Sequence, residues 1–186
     1  MQTRLDLYDN SWYKPGGSSL KRLLWYFVNQ LFFRSGYFPV NELKCNLLRA
    51  FGARVGKGVV IKPCVNIKYP WRLEIGDFVW IGEDVWIDNL ADVKIGNHVC
   101  LSQGSMLLCG NHNYKNPGFD LMVGEIVLEE GVWIAARALV GPGVRAHQHA
   151  MLAAGSVAAK NLEAQTIYRG NPAMAIKKRS ENGTAA

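Results

Sequence analysis

The sequence predicts an all-β-dominated fold, a parallel β-helix of short strands preceded by a helical or irregular segment and followed by a short C-terminal helix. Three observations carry this expectation. Segments beginning at Val55, Ile75 and Ile95 align at a spacing of twenty residues. Within them an aliphatic residue recurs every six positions, at Val55, Ile61, Ile67, Ile75, Ile81, Ile87, Ile95, Leu101 and Leu107, and the pattern resumes at Leu128, Ile134, Val140, Ala146 and Leu152. Four residues after nearly every one stands Val, Ala or Ser, as at Val59, Val79, Val99 and Ala138, with Trp71 and Asn111 as the exceptions. A helix needs a period of about 3.6 residues, and the abundant Gly and β-branched residues oppose it. A period of six with one large and one small inward residue describes a short strand and a sharp turn. Three such sides and a two-residue connection make one triangular coil of twenty. A sandwich of short strands would instead bring turn signals about every 8 to 12 residues and strict alternation. Gly56, Gly76, Gly82, Gly96 and Gly141 directly follow the large position, where the turn is expected to need a backbone that tolerates unusual angles.

In chain order, residues 1–54 form the N-terminal segment, packed on or near the β-helix. Its stretch from Leu20 to Phe33 is rich in Leu, Trp, Tyr and Phe but is interrupted by Lys21, Arg22, Asn29 and Gln30. Crossing a bilayer takes about 20 apolar residues, so the stretch does not qualify. Packing on the protein is the favoured reading and a helix lying on a membrane surface the second, with any peripheral contact made through residues 20–38. The β-helix occupies residues 55–160, interrupted by an inserted loop at about 113–127. Residues 161–186 are a C-terminal extension with a basic tail.

Composition limits the partners. Twenty-one Lys and Arg against fifteen Asp and Glu leave a net charge of +6, which suits nucleic acid, an anionic membrane or a polyanionic small substrate. No aromatic ribonucleoprotein motif, zinc finger or long basic arm is present, so nucleic acid is not an expected partner. A hydrophobic share of 49% with 19% charged residues excludes a disordered chain. Cys45, Cys64, Cys100 and Cys109 lack CxxC pairing, and no secretory leader opens the sequence. A cytoplasmic protein with reduced thiols is expected, at most peripheral to the inner face of the membrane.

The chemistry is expected where the repeat breaks. CGNHNYKNPGFDLMVGE interrupts the solenoid, and loops that project from a rigid scaffold collect functional residues. His112 lies at its root, and an imidazole suits a general base near neutral pH. Asp88 and Asn89 in WIDNL fit either an acceptor contact or an ordinary Asx turn, and Asp88 is also placed to steady His112 from a neighbouring coil. Asn111 and Asn113 carry the same two readings. No Ser or Cys sits in a nucleophile motif. His98, His147 and His149 fall within repeat units; a three-His zinc site is the less favoured reading, and no metal is expected.

Several motifs in one order, DNSWYKPG, FGARVGKGVVIKP, VWIGEDVWIDNLADVKIGNHVCLSQG, GNHNY with NPGFDL, and YRGNPAMAIKK, resemble the hexapeptide-repeat acyltransferases, and more narrowly the colanic acid biosynthesis acetyltransferases. The resemblance covers nearly the whole chain. It implies a left-handed β-helix, acetyl-CoA as co-substrate, and a homotrimer with its active sites between subunits. It also implies that His112 takes the proton from a sugar hydroxyl, the sugar free or lipid-linked, in exopolysaccharide or capsule biosynthesis, with direct attack on the thioester, no covalent intermediate, and an oxyanion for which a backbone N–H at Ala135 or Ala136 is the candidate donor. Trp133 matches a tryptophan beside the pantetheine groove, and Ala136 and Ala154 match positions whose backbone meets the arm. Lys160 and Lys177 match cationic positions near the nucleotide, with Lys178 and Arg179 as additions. Ala159 stands where the family usually has Thr, which removes a hydrogen bond. GVRAHQHAM departs from the Ile-Gly repeat usual there, so a distorted coil is expected around His147 and His149. The alternatives are a xenobiotic or simple-sugar acetyltransferase of the same fold, a metal-dependent hydratase, and a non-catalytic β-helical protein.

Overall fold

In the computed structural model, which describes residues 2–179, the hexapeptide positions point inward. Of the fourteen large positions only Val55, in the first coil, is not fully buried. The strands stack into three parallel sheets. The first face joins Arg54–Val55, Leu73–Ile75, Val93–Ile95, Ile126–Leu128 and Arg145–Ala146. The second joins Val60–Ile61, Trp80–Ile81, Cys100–Leu101, Trp133–Ile134, Met151–Leu152 and Thr166–Gly170. The third joins Asn66–Ile67, Trp86–Asp88, Met106–Leu108, Leu139–Val140 and Val157–Ala158. Val55 pairs with Ile75 and Ile75 with Ile95, one twenty-residue coil apart. Leu128 pairs with Ala146, eighteen residues on, because the later coils are three bare hexapeptides with no connector.

The reason for the glycines after the large positions is not the one expected, since none of them has a positive φ. A Cβ on Gly56 would lie 2.4 Å from Asp77 Oδ1 and 2.6 Å from the Gly76 carbonyl; one on Gly76 would lie 2.8 Å from the backbone N of Asn97. They are small because the next coil stacks directly upon them. The left-handed corner comes two residues later and recurs at Gly58, Cys64, Phe78, Asp84, His98, Gly104, Gly131, Arg137, Gly143, His149 and Gly155. His149, with φ +57°, therefore occupies an ordinary corner. His147 Nδ1 sits 3.2 Å from Glu129 Oε1, which also takes Arg145 at 3.0 Å. Ala146 and Ala150 remain buried, so the expected distortion of this coil does not occur.

A parallel stack leaves the carbonyls of its first coil without partners, an open edge that would recruit other strands. Two helices of the N-terminal segment close it with side chains. From α1 (Ser19–Val28), Trp25 Nε1 donates to the Ile67 carbonyl at 2.9 Å. From α2 (Asn41–Ala50), Asn41 donates to Val59 O at 2.8 Å, Arg49 to Gly56 O at 2.9 Å, and Lys44 to Lys62 O at 3.0 Å. Lys44 is fully buried, and that burial lowers its pKa below the ordinary 10.5. A base whose folded pKa is depressed is less protonated folded than unfolded, so Lys44 makes stability rise with pH between its depressed folded value and 10.5. Lys44→Met removes the charge but orphans buried carbonyls. It is expected to cost about 2 kcal/mol at neutral pH in a denaturant titration and to abolish that alkaline gain.

At the other end the expected short helix is replaced, among the described residues, by a hairpin. Thr166–Gly170 joins the second face and Ala173–Lys178 folds back antiparallel upon it. Tyr168 pairs with Leu152 and is buried there, so the tail extends the sheet rather than leaving it. Residues 180–186 of the basic tail lie outside the described residues.

Candidate active site

The interruption of the solenoid is a β-hairpin that starts earlier than 113. Gly110–His112 pairs antiparallel with Leu121–Val123, Asn111 opposite Met122 and His112 opposite Leu121. The chain is back on the first face at Ile126. Side chains alternate across a strand, so Asn111 and Met122 share one side of the hairpin while His112 and Leu121 share the other.

His112 is fixed by the hairpin itself. Its Nδ1 lies 2.8 Å from the Phe119 carbonyl oxygen. A carbonyl only accepts, so Nδ1 carries a proton, and in the neutral imidazole Nε2 is then the nitrogen with the lone pair. Phe119 holds a left-handed backbone, φ +52°, which for a bulky residue costs about 1–2 kcal/mol. That conformation accompanies a ring stacked on the imidazole, with centroids 4.4 Å apart and planes within 6°. The N-terminal segment reaches the same hairpin: Tyr8 lies 5.8 Å from the imidazole, and Arg4 donates its N–H to Pro117 O at 2.8 Å. Tyr13 donates its hydroxyl to Leu90 O at 2.7 Å, and burial with Tyr69 nearby pushes its pKa up to about 12, keeping it a donor. At the hairpin base, burial pushes the Cys109 thiol up to about 11, which leaves it protonated and unreactive.

The other acceptor-side candidates do not gather around the imidazole. Asn111 accepts the backbone N–H of His112 at 2.8 Å, and Asn113 accepts that of Lys115 at 3.1 Å in an Asx turn. Asp88 lies 2.8 Å from Lys68, while the partner that orients His112 is Phe119. Asn89 is fully buried, with both amide atoms bonded to the Tyr69 backbone at 2.9 and 2.6 Å. It mends the connection between two coils and has no group left for an acceptor.

Of the donor-side candidates, Ala159 and Lys160 lie at one rim of the third face and Ala135, Ala136 and Ala154 at the other, while Trp133, Lys177 and Lys178 belong to the second face and its C-terminal hairpin. At the rim shared with the hairpin, a groove of about 530 Å³ is bounded by Asn111, Met122, Gly141, Gly143, Ala158 and Ala159, with exposed Lys160 next to it. Ala135, Ala136 and Ala154 form the opposite rim, at the corner with the second face. The Ala135 N–H is bonded to Leu152 O at 2.9 Å and is not free for an oxyanion; no backbone acceptor among the described residues meets that of Ala136. Trp133, on the second face, donates to Ser102 Oγ at 2.9 Å. Lys177 lies on the C-terminal hairpin opposite Ile167. Lys178 is held there by Thr166 Oγ1 at 3.0 Å, and Arg179 by His149 O at 3.2 Å. Of the hairpin strands, Gly110, Asn111, Met122 and Val123 line the groove, whereas His112 and Leu121 do not. No cluster of three metal-ligating side chains occurs among the described residues.

No protein-family model matches the chain. The Escherichia coli K12 protein named "Putative colanic acid biosynthesis acetyltransferase WcaF" is 39% identical over 166 residues, spanning 89% of this chain and 91% of that protein. The chain belongs to this acetyltransferase family. Its fold is that of solved hexapeptide-repeat acetyltransferases. One from Vibrio cholerae, complexed with acetyl-coenzyme A, superposes with a TM-score of 0.78 at 21% identity over 89% of this chain and 93% of that one. A maltose O-acetyltransferase from Clostridium difficile 630 gives 0.76 at 21% identity over 88% and 90%. In this acetyltransferase the sequence singles out His112 as a candidate but gives no sign of Phe119 and Tyr8, which the structure sets against its imidazole. Phe119 lies inside the NPGFDL motif, but nothing in the residue types announces a left-handed phenylalanine. Tyr8 is brought to the hairpin only by the path of the N-terminal segment.

Proposed function

We propose that this chain transfers the acetyl group of acetyl-CoA to a sugar hydroxyl in exopolysaccharide or capsule assembly, as a homotrimer whose active site lies at the seam between chains. The observation that carries the reading is the tautomer of His112, with Nδ1–H committed to Phe119 O and Nε2 left as a base. In the step proposed, Nε2 takes the hydroxyl proton as the sugar oxygen bonds to the thioester carbon. The tetrahedral intermediate then expels the thiolate, and the imidazolium returns the proton to sulfur. The groove walled by Gly141, Gly143 and Ala159 offers little side-chain bulk, which suits the narrow pantetheine arm, and Lys160 and Lys177 suit its phosphates. A seam is favoured because the donor candidates are split between the two rims of the third face and the second face of one chain, and because His112 does not line the groove of its own chain. Met106 and Leu139 stand in register on the outside of the third face, a surface suited to another subunit. Residues 20–38 belong to this reading as the segment nearest a membrane.

The test is release of CoA thiol from acetyl-CoA across sugar nucleotides and oligosaccharides, with the molar mass measured by light scattering. Turnover on at least one sugar by a species three chains in mass is the expected result. A monomer as active as any larger form would overturn the seam, and no turnover with any sugar would overturn the acceptor class.

A further inference from the structure

The helix α1 has two apolar faces, and its own protein covers only one. Trp25, Asn29 and Phe33 turn inward, with Asn29 bonded to Asn66 at 2.8 Å. Leu20, Leu23, Leu24 and Phe27 recur at the i, i+3, i+4, i+7 spacing of a single stripe about 100° wide, and Leu31 follows in the π-helical turn Asn29–Phe33 that continues α1. All five are 50–65% exposed. Monomeric surfaces rarely present so continuous an apolar row unless something binds it. Along one flank of the stripe runs a pocket of about 340 Å³, bounded by Arg22, Tyr26 and Arg34 from the helical segment and by Lys68, Trp86 and Asp88 from the third face. Arg22 donates to the Gly17 carbonyl at 3.0 Å, Arg34 to Gln30 at 3.3 Å, and Lys68 pairs with Asp88. Three cations against one carboxylate leave the pocket positive.

We propose that the outer stripe of α1 lies in the surface of an anionic bilayer, and that the pocket on its flank receives the phosphate of a membrane lipid. Charge complementarity selects this occupant. A second copy of the chain would bring the same cations and the same net +6 to the stripe, whereas an anionic bilayer offers phosphates beside an apolar layer. No described helix is long and apolar enough to cross a membrane, so α1 lies in the plane, and fully exposed Tyr37 just beyond it adds an amphipathic ring at the same level. The inference deepens the membrane part of the proposed function and does not depend on acetyl transfer.

The test uses the full chain in flotation with vesicles of phosphatidylcholine alone and with about one third phosphatidylglycerol. Flotation is expected with the anionic vesicles and is expected to weaken with salt. The double variant L24E/F27E is expected to lose about 100-fold in vesicle affinity, and R34E about tenfold. Both are expected to keep the native molar mass and the turnover on a soluble sugar. No flotation, or flotation unchanged in L24E/F27E, would overturn the proposal. A smaller assembly in L24E/F27E would also overturn it, by making the stripe a contact between subunits. Flotation without turnover would sink acetyl transfer alone, and turnover without flotation would sink only the membrane contact.

Discussion

His112→Ala is expected to lower kcat by about 100- to 10,000-fold, the range for removing a positioned general base. The KM for acetyl-CoA should change little, since the proton transfer is made only on the way to the transition state. Fold and assembly should survive, because the imidazole is bonded to one carbonyl and stacked on Phe119 rather than buried in the coil core. Steady-state kinetics with acetyl-CoA and an acceptor sugar, beside a thermal melt and a mass measurement, check all three. A variant within tenfold of the native rate would remove His112 from the chemistry. A variant that fails to assemble would instead make the hairpin a structural element.

Gly76→Ala is expected to be among the more damaging small substitutions in the stack. The new Cβ would meet backbone at 2.8 Å on the next coil, at both Asn97 N and Gly96 C. Neither can move without opening the ladder above, so about 3 kcal/mol or more is expected from overpacking. Gly155→Ala is the contrast, with φ +66° and nothing within 4 Å of the added carbon. Only the left-handed backbone is penalised there, at about 1 kcal/mol. Urea titrations of the two variants should differ several-fold in the stability lost. Equal losses would mean that conformation, not stacking, selects glycine after the large positions.

What the sequence alone determined is the solenoid. Period six over fourteen apolar positions allows one arrangement of core, and the same spacing exposes the hairpin as the place where the pattern stops. His112 was legible because it lies at that break and because imidazole chemistry depends on residue type. The tertiary structure alone decided what each residue faces. The glycines after the large positions answer to a coil twenty residues away, not to their own φ. Lys44 is buried because the open carbonyls of the first coil lie beneath it. Asn89 fits an acceptor contact or a turn in the sequence, and only the fold shows Tyr69 bonded to both its amide atoms. The C-terminal strand replaces the expected helix because an unpaired sheet edge was waiting for it. Each of these depends on groups far apart in the chain, and local periodicity carries no information about them.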